Sequence, residues 1–282
     1  MDTSAFTDVF DEWTDTALEW VSENGEFIFE TIRWLLEGLY DSILSVLQYP
    51  PYYVVALIIA LAGWRLVGSW FAVSSAVALT LCFAMGLWPE TMSTLALVFT
   101  ATVFALVFGI PIGIAAGFFP KLDGFMEPGL DLVQTLPPYI YLLPAIALLG
   151  YGPATALIAT VIVAMPPVIR LTSLGIRMTP KEFIELGEAS GITPSKMFFK
   201  IRLPFAVPSI MAGINQSLMM AFGMVVIAGI VGSGGLGETI YGSIRTLDIA
   251  SSINGAIAIV VLTMVIDRMT QSAANFGKRR AS

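Results

Sequence analysis

The chain has 282 residues, 56% of them hydrophobic and only 12% charged, with a mean hydropathy of +0.82; a soluble domain is about 25% charged, which excludes the soluble globular class. It has no histidine and one cysteine, Cys82, inside an apolar run, which excludes His-based acid–base chemistry, His/Cys metal sites and a disulfide framework. The net charge of −7 is uneven: residues 1–50 hold eleven acids against Arg33 alone, while residues 51–282 hold ten acids and thirteen bases.

In residues 5–23, Phe6, Phe10, Trp13, Ala17 and Trp20 alternate at spacings of four and three, one face of a helix. A second helix over about 26–48 repeats the pattern with Ile28, Ile32, Leu35, Leu39, Ile43 and Val46. Asp11, Asp15, Glu19 and Glu23 fill other faces. No basic n-region or A-x-A site precedes an apolar core, so a signal peptide is not expected. Residues 1–50 therefore read as an acidic amphipathic helical extension, lying in the membrane interface or against the spans. Its acidity favours the outer side, because anionic lipid on the cytoplasmic side would repel it. Pro50-Pro51 closes the module.

Residues 51–282 read as a transmembrane domain of about seven helices: 52–66, 68–88, 91–119, 129–149, 153–172, 207–231 and 253–270. The first is short, with Gly63, Arg65 and Gly68 marking a tight turn into the second. Gly109, Pro111 and Gly113 predict a kink late in the third. Pro137, Pro138 and Pro144 break the fourth near its start. Under an alternating count, Arg65, Lys121, a cluster from Arg170 to Arg202 and Lys278-Arg279-Arg280 fall on one side. The loops around Pro89-Glu90 and Gly150-Tyr151-Gly152 carry no base, and only Arg245 falls with them. The positive-inside rule then predicts N-terminus outside and C-terminus in the cytoplasm.

That orientation puts a polar loop, residues 173–206, in the cytoplasm. Thr179-Pro180 predicts the N-cap and first position of a short helix over 180–189, and Gly191 its left-handed end. Thr193-Pro194 starts a second helix, which Leu203-Pro204 is expected to stop. A charged, helix-forming hairpin between two spans, carrying Arg170, Arg177, Lys181, Lys196, Lys200 and Arg202 at or beside it, fits docking onto a soluble partner.

Glu185, Gly191, Ile201, Leu203 and Pro204 fit the pattern E-A-A-x3-G-x9-I-x-L-P, with Leu186 and Gly187 in place of its two alanines. The loop resembles the cytoplasmic signature of permease subunits in bacterial ABC importers. Further stretches narrow the resemblance: Asp131–Pro138, Tyr141–Ala145, Ala164–Pro167, Ala212–Ser217, Met224–Ala228 and Asp267–Gln271 are similar to glycine betaine/proline betaine permeases of the ProW and OpuAB type, over roughly residues 85–271. The resemblance implies an all-α membrane protein with the type I ABC importer permease fold. It implies a homodimer (a second copy of the chain), two ABC ATPase subunits and an extracytoplasmic substrate-binding protein, in a bacterial inner membrane. It also implies that Glu185, Gly187, Glu188, Ala189, Gly191, Ile192, Thr193, Pro194, Ile201, Leu203 and Pro204 make the ATPase-coupling loop, with residues 188–198 touching the ATPase. The chain would bind no cofactor, ATP and Mg being held by the partner, and would catalyse no bond chemistry.

Gly232–Thr239 mimics nucleotide-binding patterns: Gly232, Gly234 and Gly237 match G-x-G-x-x-G, and the run nearly matches G-x4-G-K-[ST]. Glu238 stands at the Walker lysine, however, and no βαβ unit surrounds it. A glycine-rich turn at the outer end of the sixth span is the better reading. Polar or adaptable groups within spans mark a candidate path: Gln134, Thr135, Pro137, Tyr139, Tyr141, Asn215, Gln216, Met219 and Met220. Tyr139 and Tyr141 could offer ring faces to a quaternary ammonium. Substrate affinity is expected to rest with the separate binding protein. Choline, carnitine, dimethylsulfoniopropionate or an amino acid are alternative solutes. A stand-alone secondary transporter would instead need intramembrane acids or an inverted repeat, and only Asp131 and Asp267, both near span ends, are candidates. Membrane lipid, and no nucleic acid, is the remaining expected partner.

Overall fold

The computed structural model describes residues 3–281; the side chains of residues 1–8, 10, 14, 15 and 274–282 lie outside the described residues, among them Phe6, Phe10, Asp15 and the predicted base cluster Lys278-Arg279-Arg280. All regular structure among the described residues is helical. The first helix, α1 (Thr3–Gln48), is one rod of 46 residues where the sequence suggested a pair. A glycine inside a helix costs only about 1 kcal/mol, and here Gly25 lies beneath the ring of Phe29 while Asn24 Nδ2 donates to the Trp20 carbonyl at 2.8 Å. Helix-forming residues on both sides carry the rod through.

At Pro50-Pro51 the chain bends by 95° into α2 (Tyr52–Leu66), which pairs with α3 (Ser69–Ala84). With 15 and 16 residues, these helices rise only about 22–24 Å, short of a hydrocarbon core of roughly 30 Å. Tyr52 locks their open end by stacking on Phe83, with ring centroids 3.7 Å apart. The next helices are α4 (Trp88–Phe118) and α5 (Pro120–Thr135), then a 3-10 turn (Pro138–Tyr141), α6 (Leu142–Leu149) and α7 (Pro153–Arg177). Pro111 lies within α4 without ending it. The expected fourth span is two pieces, α5 and the stretch through α6, meeting at 105°. Leu136, forced into an extended conformation (ψ 141°) by the proline that follows, makes that break.

The hairpin comprises α8 (Lys181–Ala189) and α9 (Pro194–Met197), and a π-helical turn (Phe198–Arg202) leads straight into α10 (Leu203–Ala228). Leu203-Pro204 therefore begins α10 instead of stopping the second hairpin helix. Proline is tolerated in a first turn, and the wider π turn before it relieves the clash its ring would cause. A 3-10 turn (Gly229–Val231), α11 (Gly235–Thr246) and α12 (Ile249–Ala281) complete the chain. The seven apolar segments thus resolve into four spans of sufficient length, Trp88–Phe118, Pro153–Arg177, Pro194–Val231 and Ile249–Ala273, plus the two bent pairs, with α3 a shorter apolar helix.

The centre is a three-helix packing of α4, α7 and α10. A Cβ on Gly109, Gly113 or Gly117 would press on Val168, Thr172 or Ile176 respectively, so contacts on α4 and α7 advance together and the two run parallel. Gly175 meets Ala206 and Ser209, whereas Gly213 meets Pro167 and Val168, so α10 runs against α7. Close backbone approach through small residues is the packing mode of membrane helices, where lipid removes the hydrophobic drive. The C-terminal half of α1 joins this core through Leu36 and Tyr40, both nearly fully buried, with Ile32, Ile43, Leu44 and Leu47 beside them. Trp13, Trp20, Phe27 and Trp34, seven residues apart, stay exposed on another face.

Candidate functional site

The hairpin is built around a glycine. A Cβ on Gly187 would stand 2.7 Å from Met197 Cε, 2.9 Å from Ile192 Cδ1 and 3.1 Å from Ile201 Cδ1. Ile192 and Ile201 therefore serve the inside of the hairpin. Gly191 has φ +66°; its N–H donates to the Glu188 carbonyl at 3.0 Å, and the Ile192 N–H to the Gly187 carbonyl at 3.2 Å, closing α8. The predicted N-cap role of Thr179 is corrected: its hydroxyl donates back to the Ile176 carbonyl at 3.0 Å and ends α7, and Pro180 precedes α8 without a side-chain cap. Glu185, Glu188, Ala189, Thr193, Pro194 and Lys196 are exposed, as is Pro204. Leu203 packs with Ile176, Ala206 and Ile210 at the hairpin base. There Phe118 and Phe198 rings lie 5.9 Å apart, and the Arg202 guanidinium sits 4.9 Å from the Phe118 centroid.

Two ion pairs not foreseen from the sequence tie α5, which buries no residue, to α7. Arg177 Nη1 meets Asp123 Oδ2 at 2.8 Å, Asp123 Oδ1 accepts from Ser173 Oγ at 2.8 Å, and Arg170 pairs with Asp131. The signal was available: Arg170 and Arg177 are seven apart, Asp123 and Asp131 eight, so each pair shares a helical face. Asp131 is thus neutralised by an arginine.

The path candidates divide. Tyr141 spans the break in the fourth segment, its hydroxyl donating to the Val133 carbonyl at 2.9 Å, so its phenol serves structure. Tyr139, Pro137, Gln134 and Thr135 are exposed around the same break, Thr135 bonding back to the Leu132 carbonyl at 3.1 Å. The 3-10 turn holding Tyr139 packs beside α10. On α10, Gln216, Met219 and Met220 lie on one exposed strip. Among the described residues, Asn215 Oδ1 and Ser217 Oγ are buried with no hydrogen-bond partner, and a buried polar atom left unsatisfied costs about 1–3 kcal/mol. The structure thus packs the break against α10, the helix that also carries these unsatisfied polar atoms.

At the other end of α10 the glycine run makes a turn, with φ +70° at Gly232, +77° at Gly234 and +76° at Gly235. Glu238 Oε2 accepts the Gly234 N–H at 2.7 Å, capping α11, a role opposite to phosphate binding. Thr94 of α4 accepts the Leu236 N–H at 2.8 Å, fixing the turn to the core. The turn is a packing device. Among the described residues, no His, Cys, Asp or Glu group is arranged to hold a metal ion.

Residues 109–274 match the family described as binding-protein-dependent transport system inner membrane component. The chain is 37% identical over 272 residues to the glycine betaine/proline betaine transport system permease protein ProW of Escherichia coli, covering 96% of this chain and 77% of that one. It is 37% identical over 258 residues to the glycine betaine transport system permease protein OpuAB of Bacillus subtilis, covering 92% of each. Among solved structures, an inward-facing MetNI methionine ABC transporter superposes with TM-score 0.61 at 22% identity, over 68% of this chain and 95% of that one, a likeness of fold. The chain belongs to the binding-protein-dependent transport system inner membrane components, as a multi-pass permease subunit of the inner membrane.

Proposed function

We propose that two copies of this chain form the membrane pathway of an ATP-driven importer of glycine betaine or a close quaternary amine. Two ATPase subunits dock on the α8–α9 hairpins in the cytoplasm, and a binding protein delivers solute at the opposite, glycine-turn end. The N-terminus lies outside and the C-terminus inside. ATP-driven closure of the ATPases draws the hairpins together and opens the pathway outward, and hydrolysis resets it inward. Glu185 and Gly191 shape the coupling surface, residues 188–198 make its contact, and the α10 strip with the fourth-segment break lines the path. The acidic extension α1 braces the spans at the outer side.

The observation that carries this reading is the hairpin: a compact, charged pair of helices whose Ile192, Met197 and Ile201 side chains turn onto Gly187, leaving Glu188–Gly191 and Thr193–Lys196 exposed. The names of the relatives, glycine betaine permeases at 37% identity over most of the chain, support the substrate class. The test is ATPase activity of the complex that co-purifies with the tagged chain, with and without glycine betaine and its binding protein. Stimulation by both is expected. No ATPase in the eluate would remove the reading, and activity indifferent to glycine betaine would remove the substrate.

A further inference from the structure

Two bases stand at the glycine-turn end, Arg33 beside Gly150 and Arg245 on α11; Arg33 Nε pairs with Glu37 Oε1 at 3.0 Å, whereas Arg245 forms no ion pair among the described residues. It is not idle. At that end an open cavity of about 380 Å³ is bounded by Tyr151, Ile230, Gly232, Glu238, Tyr241 and Arg245, a size within the roughly 300–1,000 Å³ of small-molecule sites. Glu238, Tyr241 and Arg245, at spacings of three and four on α11, share one helical face. The Arg245 guanidinium lies 5.9 Å from the Tyr241 ring centroid. Tyr151 arrives from the turn between α6 and α7, which the Gly152 N–H anchors to the Val231 carbonyl at 3.0 Å. The wall between them is bare backbone, because Gly229 has no side chain and packs directly on Gly237. Of the Glu238 carboxylate, only Oε2 is engaged among the described residues, leaving one oxygen for a ligand.

We propose that this cavity is a docking subsite for a small zwitterion bearing a quaternary ammonium and a carboxylate. The inference rests on the importer reading above and deepens it by giving the permease its own recognition point at the mouth. A quaternary ammonium has no N–H to donate, so it is held by aromatic faces and a nearby negative charge; Tyr151, Tyr241 and Glu238 supply both. A carboxylate is held best by a guanidinium fork, which Arg245 supplies. Tyr241 stands between Glu238 and Arg245 on the same helical face, its ring centroid 5.9 Å from the Arg245 guanidinium, so an ammonium held on that ring has the guanidinium beside it for an adjoining carboxylate, a pairing a zwitterion uses in full and a simple cation does not.

The test uses the complete transporter, permease with its ATPase, in lipid nanodiscs without binding protein. Binding of radiolabelled glycine betaine and of choline, which has the ammonium but no carboxylate, is measured by equilibrium dialysis. Arg245→Gln is expected to weaken glycine betaine roughly tenfold and to leave choline unchanged, while Tyr241→Leu weakens both. Glycine betaine that is transported in the presence of binding protein, yet unbound here or bound equally by both variants, overturns the subsite and leaves the importer reading standing. Arg245-dependent binding in a transporter that takes up no glycine betaine has the reverse meaning. Variants that lose only stimulation by the binding protein, with direct binding intact, assign this surface to protein docking and also overturn the proposal.

Discussion

At Gly229 the backbone of α11 comes so close that a Cβ would stand 2.2 Å from the carbonyl carbon of Gly237, an atom that cannot swing aside. Gly229→Ala must push the end of α10 off α11, at a cost of about 1–3 kcal/mol. Gly38, exposed on α1 with nothing among the described residues within 4 Å of its would-be Cβ, is the opposite case. There Gly38→Ala should add about 0.5–1 kcal/mol by removing backbone freedom from the unfolded chain. Thermal unfolding of the two variants, followed by tryptophan fluorescence, is expected to move the midpoint in opposite directions. A different kind of constraint acts at Asp248, in the turn before α12. Hydrogen bonds from Ser251, hydroxyl to Oδ2 at 2.7 Å and N–H to Oδ1 at 3.1 Å, pull its pKa below the ordinary 3.8. Because the folded value is the lower one, the stabilisation is complete above pH 3.8 and fades as pH falls through the depressed value. The stability gap between wild type and Asp248→Ala should hold constant at neutral pH and shrink under acid. A gap that grows on acidification would reverse the assignment.

The hairpin is the element whose geometry was most legible in the sequence, because its punctuation is steric. Gly191 takes the left-handed conformation that only glycine, and next asparagine, adopts at little cost. Gly191→Asn should therefore keep most uptake. Gly191→Pro, which cannot reach positive φ and loses the N–H that bonds Glu188, should abolish uptake while the chain still inserts into the membrane. Membrane fractionation alongside an uptake assay separates the two outcomes, and normal uptake by Gly191→Pro would sink the coupling role. Neighbouring boundaries were less legible for a physical reason. Proline at 204 reads as a stop or as a first-turn residue with equal sense, and the π turn that precedes it packs Phe198 against Phe118, 80 residues away, a contact that no local pattern announces. Similarly, nothing local says that Thr179 bonds backward to Ile176 instead of forward into α8. The continuity of α1 depends on helix formers outweighing a single Asn-Gly, a balance of about 1 kcal/mol that pattern alone does not decide. The candidate path was legible as composition only. Which of its residues meet is set by the 105° break, and the break placed Tyr141 in a structural bond and left Tyr139 exposed.

For the whole molecule, topology links the two ends. Because α4 and α7 run parallel, the intervening α5–α6 segment must return across the layer, and its bend is how 30 residues with no continuous apolar helix do so. Because α10 runs against α7, the hairpin joining them lies at one end, and the turns at Tyr151 and Gly232 lie together at the other, tied by the Gly152–Val231 hydrogen bond. The internal arrangement leaves one binary question, which end faces the cytoplasm, and the proposed orientation, argued from the arginine and lysine distribution, assigns the hairpin end to it. The single cysteine makes this measurable, since Cys82 is fully buried and should be silent toward a membrane-impermeant maleimide. In that background, Tyr151→Cys, exposed at the glycine-turn end, is expected to label in intact cells. Ser195→Cys, exposed at the tip of the hairpin, should label only in inverted vesicles. The reverse pattern would turn the molecule over, placing the coupling hairpin outside where no ATP is available. Labelling of both sites from one side would break the α4–α7–α10 topology itself, because no arrangement with α10 antiparallel to α7 puts the two ends of α7 on the same face of a membrane.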